Sequence, residues 1–214
     1  MPAVSNTGLI LQFSNAQFSM TTMAKTAAMG KRILVSGPTK SGKSEWAEQL
    51  ARQSAQPVTY VATARQQAED ADWQARIATH RQRRSAQWQT LEVPVDLALT
   101  LGRAEATECW LVDSLGTWVA NGLEAAHDDW QPQVDGLLQA IAHFRGTLIL
   151  VAEETGWGVV PAYPLGRTFR DRLGTLTRQV GAVADVTYLV VAGFAVDLSQ
   201  LGVPVLKAGK EPLR

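Results

Sequence analysis

Apolar residues after residue 30 fall into two kinds of segment that alternate along the chain. Short runs rich in β-branched residues favour strands, and the stretches between them carry apolar residues at helical spacing. The predicted strands, in order, are RILVSG, VTYVAT, CWLVDS, TLILVAEE and VTYLVVAGF. The predicted helices cover residues 43–53, 71–85, 130–144 and 165–183. This alternation is typical of βα units, so it predicts an α/β fold around a mainly parallel sheet.

Each predicted strand is apolar along almost its whole length, which is typical of a sheet that is covered on both faces. We therefore expect helices on both sides of the sheet. The helix predicted over residues 165–183 carries its apolar positions on one face, at Phe169, Leu173, Leu176 and Val180. The polar segment 121–129 is expected to be a variable surface loop.

The first 29 residues differ from the rest of the chain, since they show no sustained helical or strand period. We expect either a disordered leader or an extension that precedes the natural start, for which Met20, Met23 and Met29 are candidates. A secretion signal would need a basic start and a longer apolar centre. Residues 30–214 are then expected to form a single domain of ordinary size.

Composition narrows the class of protein. The chain has 20 basic and 20 acidic residues, so no overall field attracts nucleic acid. No apolar run is long enough to span a bilayer, and no stable membrane insertion is expected. Cys109 is the single cysteine, which excludes an intramolecular disulfide and favours a reducing compartment such as the cytoplasm. Because it lies in the apolar run CWLVD, we expect its thiol to be buried.

The segment GPTKSGKS lies between the first predicted strand and the first predicted helix. It fits the pattern G-x-x-x-x-G-K-[ST] of a phosphate-binding loop, in the context that this motif requires. In such a loop the backbone amides surround the β-phosphate, Lys43 reaches the β- and γ-phosphate oxygens, and Ser44 binds Mg²⁺. The predicted nucleotide-binding residues of the loop are Gly37, Pro38, Thr39, Lys40, Ser41, Gly42, Lys43 and Ser44.

A second ligand for Mg²⁺ is expected at the end of another apolar strand. Asp113 closes the run CWLVD and is the candidate, with an exposed loop aspartate as the alternative. The letters DSLG also spell the D-x-x-G of a regulatory GTPase. No N-K-x-D motif for reading the base occurs in the chain, which weighs against that class.

The segment RIATHRQRR contains one histidine among four arginines, and this histidine is a candidate nucleophile. In a helix Arg76, His80 and Arg84 lie at positions i, i+4 and i+8, with Arg83 beside them. Nearby cations disfavour the imidazolium form, so we expect a neutral, nucleophilic ring at pH 7, while the arginines hold phosphate oxygens. A solvated basic helix is the alternative, and this pattern alone leaves both open.

Several motifs in a common order resemble the bifunctional adenosylcobinamide kinase / adenosylcobinamide-phosphate guanylyltransferase family of cobalamin biosynthesis. The resemblance covers about residues 31–198 and includes the phosphate loop, YVATA, RIATHRQRR, WQTLEVP, LVDSLGTWVANGL, EETGWGVVP, GRTFRDRLG and LVVAGF. It implies a RecA-like P-loop NTPase fold, Mg²⁺, ATP and GTP as substrates, adenosylcobinamide and its phosphate as acceptors, and a homotrimer.

The same resemblance implies roles for particular residues. His80 would take GMP from GTP and pass it to the corrinoid phosphate. Lys43, Ser44 and Asp113 would serve the triphosphate and its magnesium, with Lys43, Asp113 and His80 as the catalytic set. The remaining implied positions are Arg76, Arg84, Glu92 and Glu154 in the nucleotide or substrate site, and Arg167, Arg170 and Asp171 in a family stretch R-x-x-F-R-D.

The chain departs from the family pattern at several positions. The differing residues are Pro38 and Lys40 in the phosphate loop, Ser114 after the acid, Glu153 where asparagine is usual, and the pair Thr177 and Arg178. Lysine keeps the charge of arginine without its forked geometry. These changes bear on corrinoid contacts and on the kinase step, whereas the nucleophile and the phosphate loop are retained.

Two other classes of protein remain as alternatives. One is a P-loop small-molecule kinase without guanylyl transfer, in which His80 is an ordinary helix residue. The other is a nucleotide-gated regulatory protein that hydrolyses slowly and has no small-molecule acceptor. Nucleic-acid binding through RQRR is disfavoured by the zero net charge and by the absence of interleaved aromatic residues.

Overall fold

A computed structural model describes residues 30–65 and 85–205, and these form one seven-stranded sheet with flanking helices. The strands are β1 (Arg32–Gly37), β2 (Val58–Ala62), β3 (Gln89–Glu92), β4 (Cys109–Asp113), β5 (Thr147–Glu153), β6 (Val186–Val191) and β7 (Phe194–Asp197). Their spatial order is β3-β2-β4-β5-β1-β6-β7. All neighbours are parallel except β6 and β7. The prediction of a mainly parallel α/β sheet is confirmed.

The helices in these ranges are α1 (Lys43–Gln53), α2 (Leu97–Leu101), α3 (Leu115–Asn121), α4 (His127–Ala142), α5 (Pro164–Gly181) and α6 (Leu198–Leu201). The predicted helix 43–53 matches α1, while 130–144 and 165–183 match α4 and α5 to within three residues. The predicted helix 71–85 and the leader 1–29 lie outside the described residues. None of the helices in the described ranges is long and apolar enough to cross a membrane.

Two apolar cores lie on opposite faces of the sheet, as the near-continuous apolar strands predict. On one face α1 places Ala47, Leu50 and Ala51 against residues such as Val35 and Val151. On the other face α2, α3, α4 and α5 pack against alternate residues of the same strands. Successive strand residues point to opposite faces, so each strand contributes to both cores. Helices on both faces are thereby confirmed.

The single cysteine is part of the core under α1. Cys109 is fully buried, and this burial raises the pKa of its thiol to about 11. A thiol with so high a pKa is inert as a nucleophile at neutral pH. The prediction of a buried thiol is confirmed.

The C-terminal part of the sheet differs from the prediction, because VTYLVVAGF is not one strand. The chain turns at Ala192 and Gly193, whose φ angles are 50° and 80°, and returns as β7. Positive φ at both residues between a closing Val191–Phe194 pair fits a two-residue hairpin turn, which reverses the strand.

Two other segments also differ from the prediction. The strand β3 was not predicted, since most of its four residues are exposed and show no apolar run. The expected loop 121–129 is shorter, because α3 extends to Asn121 and α4 begins at His127. Asp128 and Asp129 stand in the first turn of α4, where negative charge favours a helix start.

The strand order brings three segments to one edge of the sheet. Parallel strands end at the same edge, where ligands commonly bind in α/β proteins. Strand β5 lies between β1 and β4, with Gly37 level with Glu153 and Asp113 level with Val151. The phosphate loop, Asp113 and Glu153 therefore share this edge.

Candidate functional site

The phosphate loop joins β1 to α1 and is tied to both of its neighbours in the sheet. The Gly193 amide donates to the Ser41 carbonyl at 3.2 Å, which connects the loop to the β6–β7 turn. The Glu154 amide donates to the Gly37 carbonyl at 2.9 Å, which connects it to the end of β5. These bonds hold the loop at the carboxyl edge of the sheet.

The backbone of this loop needs unusual conformations at two positions. Lys40 has a φ of 59° and Gly42 a φ of 98°, both in the left-handed region. Gly42 is also the N-cap of α1, so the loop leads directly into a helix N-terminus. A turn of this kind before a helix is the usual cradle for a phosphate group, because unpaired amides and the helix dipole both favour an anion.

Three polar side chains of the loop are buried in it. Lys43 is 6% exposed and its ammonium group donates to the Pro38 carbonyl at 3.3 Å. Ser44 is 8% exposed in the first turn of α1. The Ser41 hydroxyl is buried and finds no hydrogen-bond partner among the described residues. A buried hydroxyl without a partner fits a site whose phosphate oxygens would supply one.

Asp113 ends β4, two strand positions or about 10 Å from β1. The Tyr60 hydroxyl donates to its Oδ2 atom at 3.0 Å, which orients the carboxylate. The Ser44 hydroxyl and the Asp113 carboxylate are the hard oxygen donors that Mg²⁺ prefers, and Mg²⁺ usually takes few protein ligands beside phosphate and water. In the part of the chain that the structure describes, no group of three or more His, Cys, Asp or Glu residues could hold a metal. The residues present therefore fit a magnesium ion held jointly with a triphosphate.

Beside Asp113, a hydrogen-bonded corner joins β5 to α3. The Ser114 hydroxyl caps α3 by accepting from the Thr117 amide at 3.3 Å, and donates to Glu153 Oε1 at 2.5 Å. The Gly116 amide donates to Glu153 Oε2 at 3.0 Å. The Thr63 hydroxyl donates to the Ser114 carbonyl at 2.6 Å. The sequence shows Glu153 only as a departure from the family pattern and does not predict this role. In the structure its carboxylate binds the start of the helix that follows Asp113.

A cleft of about 470 Å³ opens between the end of β5 and helix α5. Residues 153–156 line one wall, and Arg170, Asp171, Gly174, Thr175 and Arg178 line the other. Glu154 Oε1 accepts from the Gly156 amide at 2.6 Å, which shapes the first wall.

Helix α5 is anchored at two points beside this cleft. Arg172 donates to the carbonyls of Gly122 and Ala125, and its guanidinium group lies 4.7 Å from the Trp130 ring centroid. Arg167 donates to the Ala162 carbonyl at 2.7 Å and thereby fastens the β5–α5 connection. The second wall of the cleft is therefore a firmly packed helix.

The structure brings together some of the predicted site residues but not all. The loop residues 37–44, Asp113 and Glu154 share one end of the sheet. Glu92 ends β3 at the same edge, but four strand positions or about 19 Å from β1. His80, Arg76 and Arg84 lie outside the described residues.

Comparison with known proteins identifies the family. The family model described as cobinamide kinase / cobinamide phosphate guanyltransferase matches residues 33–198. The bifunctional adenosylcobalamin biosynthesis protein CobP of Pseudomonas aeruginosa is 44% identical over 172 residues, covering 78% of this chain and 96% of that protein. The bifunctional adenosylcobalamin biosynthesis protein CobU of Escherichia coli is 35% identical over 181 residues, covering 78% and 98%.

A solved structure from Pyrococcus horikoshii shares the fold alone, with a TM-score of 0.51 at 7% identity over 86% of this chain and 95% of that one. The sequence matches are far closer, and they agree with the motif order and with the phosphate loop at the end of β1. The resemblance found in the sequence is thus confirmed, and the chain belongs to the cobinamide kinase / cobinamide phosphate guanyltransferase family.

Proposed function

We propose that this chain catalyses two successive steps on one corrinoid. It first phosphorylates the aminopropanol hydroxyl of adenosylcobinamide with ATP or GTP, and then transfers GMP from GTP to that phosphate to give adenosyl-GDP-cobinamide. The observation that carries the proposal is the phosphate loop with Lys43 and Ser44 buried at the start of α1, in a chain of this family.

In the kinase step the chain acts mainly by positioning and by charge. The loop amides and the N-terminus of α1 bind the β-phosphate, and Lys43 offsets the charge that develops on the transferred group. Ser44 and Asp113 would hold Mg²⁺, which supplies further charge neutralisation at the phosphates. Tyr60 supports this arrangement because its hydroxyl fixes the orientation of Asp113.

In the second step His80 is the proposed nucleophile. Its neutral imidazole attacks the α-phosphorus of GTP, pyrophosphate leaves, and a phosphoramidate bond to GMP forms. Arg76 and Arg84 bind the phosphate oxygens during this displacement. An oxygen of the corrinoid phosphate then attacks the same phosphorus and releases His80. Splitting one transfer into two displacements lowers the barrier of each. Support for these roles comes from the sequence pattern and from family membership.

Labelling with α-labelled GTP tests the nucleophile. A phosphoramidate is stable in alkali and is hydrolysed in mild acid, so the protein-bound label should behave in this way. We expect His80→Ala to lose the label and the formation of GDP-cobinamide but to keep cobinamide phosphorylation, because Lys43, Ser44 and Asp113 are unchanged. Full labelling of the alanine variant, or an adduct that maps to a lysine, would contradict the assignment and favour a kinase without guanylyl transfer.

The chain departs from the family pattern at Pro38, Lys40 and Glu153, and these departures bear on the kinase step. A test of the kinase step therefore also distinguishes the proposed enzyme from the regulatory alternative. A nucleotide-gated regulatory protein would hydrolyse GTP slowly and would form no phosphorylated acceptor. Chromatography of the corrinoid after incubation with γ-labelled ATP decides between the two, since only the enzyme transfers label to the acceptor.

Further aspects of the proposal concern assembly and surroundings. We propose that residues 30–214 form one catalytic domain, and that Glu92 and Glu154 belong to the nucleotide or substrate site. We also propose the homotrimer that the family resemblance implies; among the described residues, Phe194 and Leu201 are each 76% exposed and offer apolar surface for a contact between subunits. A single cysteine and triphosphate substrates suit the cytoplasm. Sedimentation equilibrium measures the oligomeric state.

A further inference from the structure

The cleft between β5 and α5 lies directly beside the proposed phosphoryl-transfer site. Its first wall is joined to the phosphate loop by the bond from the Glu154 amide to the Gly37 carbonyl. It is also joined to the segment after Asp113 by the bonds from Ser114 and Gly116 to Glu153. A group bound in this cleft would therefore stand between the two parts of the chain that hold the triphosphate.

The second wall presents charged groups to this space. Arg170 and Arg178 lie two helical turns apart on α5, with Gly174 between them on the same face. Within residues 30–65 and 85–205, neither guanidinium group makes a hydrogen bond or an ion pair. A Cβ atom at Gly174 would meet nothing within 4 Å, so the space between the two arginines is open. Two unpaired guanidinium groups around an open space suit a phosphate monoester.

The connection between β5 and α5 follows the lining residue Gly156 in the chain and carries exposed apolar side chains; we call this segment the apolar rim. The β5–α5 connection that continues from Gly156 exposes Trp157, Val159 and Tyr163 to 63%, 94% and 79%. Arg167 holds this connection against α5 through the Pro161 and Ala162 carbonyls. Exposed large apolar residues grouped beside a polar cleft are typical of a ligand-binding surface.

From these observations we propose that the β5–α5 cleft is the acceptor subsite, an inference that rests on the proposed function. The aminopropanol arm of the corrinoid enters the cleft, first as an alcohol and then as its phosphate, which Arg170 and Arg178 bind. The corrin ring with its adenosyl ligand is larger than a cleft of about 470 Å³, so it stays outside against the apolar rim. The size of the cleft thus matches the arm and not the macrocycle. Its lining also carries Glu153, Glu154 and Asp171, so the binding of the phosphate depends on the two arginines and not on a net positive charge of the cleft.

Filling the cleft tests this assignment. Because a side chain at Gly174 meets open space, Gly174→Leu should fold normally and block the arm, raising the KM for cobinamide and for cobinamide phosphate about tenfold or more. The Kd for GTP should stay within about twofold of the wild-type value. Gly136→Leu is the matched control, since Gly136 lies in α4 with equally open space around it, away from the cleft.

Removing one charge separates the two acceptors. Arg178 is exposed, and within the described residues its side chain makes no hydrogen bond or ion pair, so Arg178→Ala should nearly keep the wild-type unfolding midpoint. We expect it to raise the KM for cobinamide phosphate, whose arm ends in an anionic group, about tenfold, and the KM for cobinamide, whose arm ends in a neutral hydroxyl, less than threefold. Equal effects on both acceptors, or an effect on the Kd for GTP, would overturn the phosphate-binding role.

Direct binding distinguishes failure of this inference from failure of the proposed function. A corrinoid that binds at the rim should quench the fluorescence of Trp157, and Trp157→Leu should remove that component. If wild-type protein binds the corrinoid in this way but does not convert it, the proposed function is wrong and the subsite stands. If wild type converts cobinamide and Gly174→Leu does so with an unchanged KM, the function stands and the subsite is wrong.

Discussion

Gly37 is the position at which a single added methyl group should disturb both the fold and the phosphate loop. It ends β1 and opens the loop, and it is buried between β5 and β6. A Cβ atom there would lie 2.2 Å from the Val190 carbonyl oxygen and 2.8 Å from the Ser41 hydroxyl. The hydroxyl can rotate away, but the carbonyl belongs to the backbone of β6. One strand must therefore move by about 1 Å in a close-packed interior.

We expect Gly37→Ala to lower the free energy of unfolding by about 2 kcal/mol, the middle of the usual range for overpacking. For a chain of this size that is a fall in Tm of about 4–8 °C. Nucleotide affinity should fall as well, because the displaced residue begins the loop. Gly136→Ala is the control, since a Cβ atom there meets nothing within 4 Å in the interior of α4. That exchange should stabilise by about 0.5–1 kcal/mol, which is the opposite sign.

Urea unfolding followed by circular dichroism measures both variants, and titration with GTP measures their affinity. Both experiments use the full chain under identical conditions. A Gly37→Ala variant whose unfolding free energy lies within about 0.5 kcal/mol of wild type would refute the reasoning. Changes that small are typical of surface positions, so the result would mean that β6 does not pack closely against Gly37. A destabilised Gly136→Ala variant would show that the space next to Gly136 in α4 is not open.

Other predictions address the site, the leader and the pH dependence of stability. Lys43→Ala should abolish both transfer activities, because one loop orients the triphosphate in each; near-normal GTP turnover would contradict a shared site. Removal of residues 1–28 should leave Tm and activity unchanged, since that sequence has no periodic apolar face, and a large fall in Tm would show that it packs. Hydrogen bonds from Arg32 hold the pKa of Asp185 below its usual value. The carboxylate therefore stabilises the fold above about pH 4, and this contribution is lost as the pH falls through the lowered pKa. Asp185→Asn should cost about 1 kcal/mol at pH 7, and the difference from wild type should shrink below pH 4 in urea titrations.

Local features were predictable because they depend on neighbours in the chain. The bounds of β1 and α1 agree with the predicted segments 32–37 and 43–53, since an apolar strand, a glycine-rich turn and an amphipathic helix follow within 22 residues. The phosphate loop belongs to this unit, and its phosphate-binding chemistry could be predicted from residue types and spacing. The burial of Cys109 follows in the same way from the apolar run around it.

Short edge strands were not predictable, because their stability comes from pairing and not from their own composition. Strand β3 is largely exposed and, among the strands that the structure describes, pairs only with β2. Strand β7 follows β6 after a two-residue turn that the continuous apolar run conceals. Both strands are stabilised by hydrogen bonds to the neighbouring strand at the edge of the sheet.

The sequence by itself determined the α/β class, the phosphate loop and the family, since these depend on periodicity and on motifs within short segments. Only the tertiary structure decided that β5 lies between β1 and β4, that Glu153 binds Ser114 at a distance of 39 residues along the chain, and that α5 faces the end of β5 across a cleft. Those relations depend on strand order and on contacts between distant segments. Local periodicity does not encode them, because the same apolar strands could be placed in several orders with equal burial.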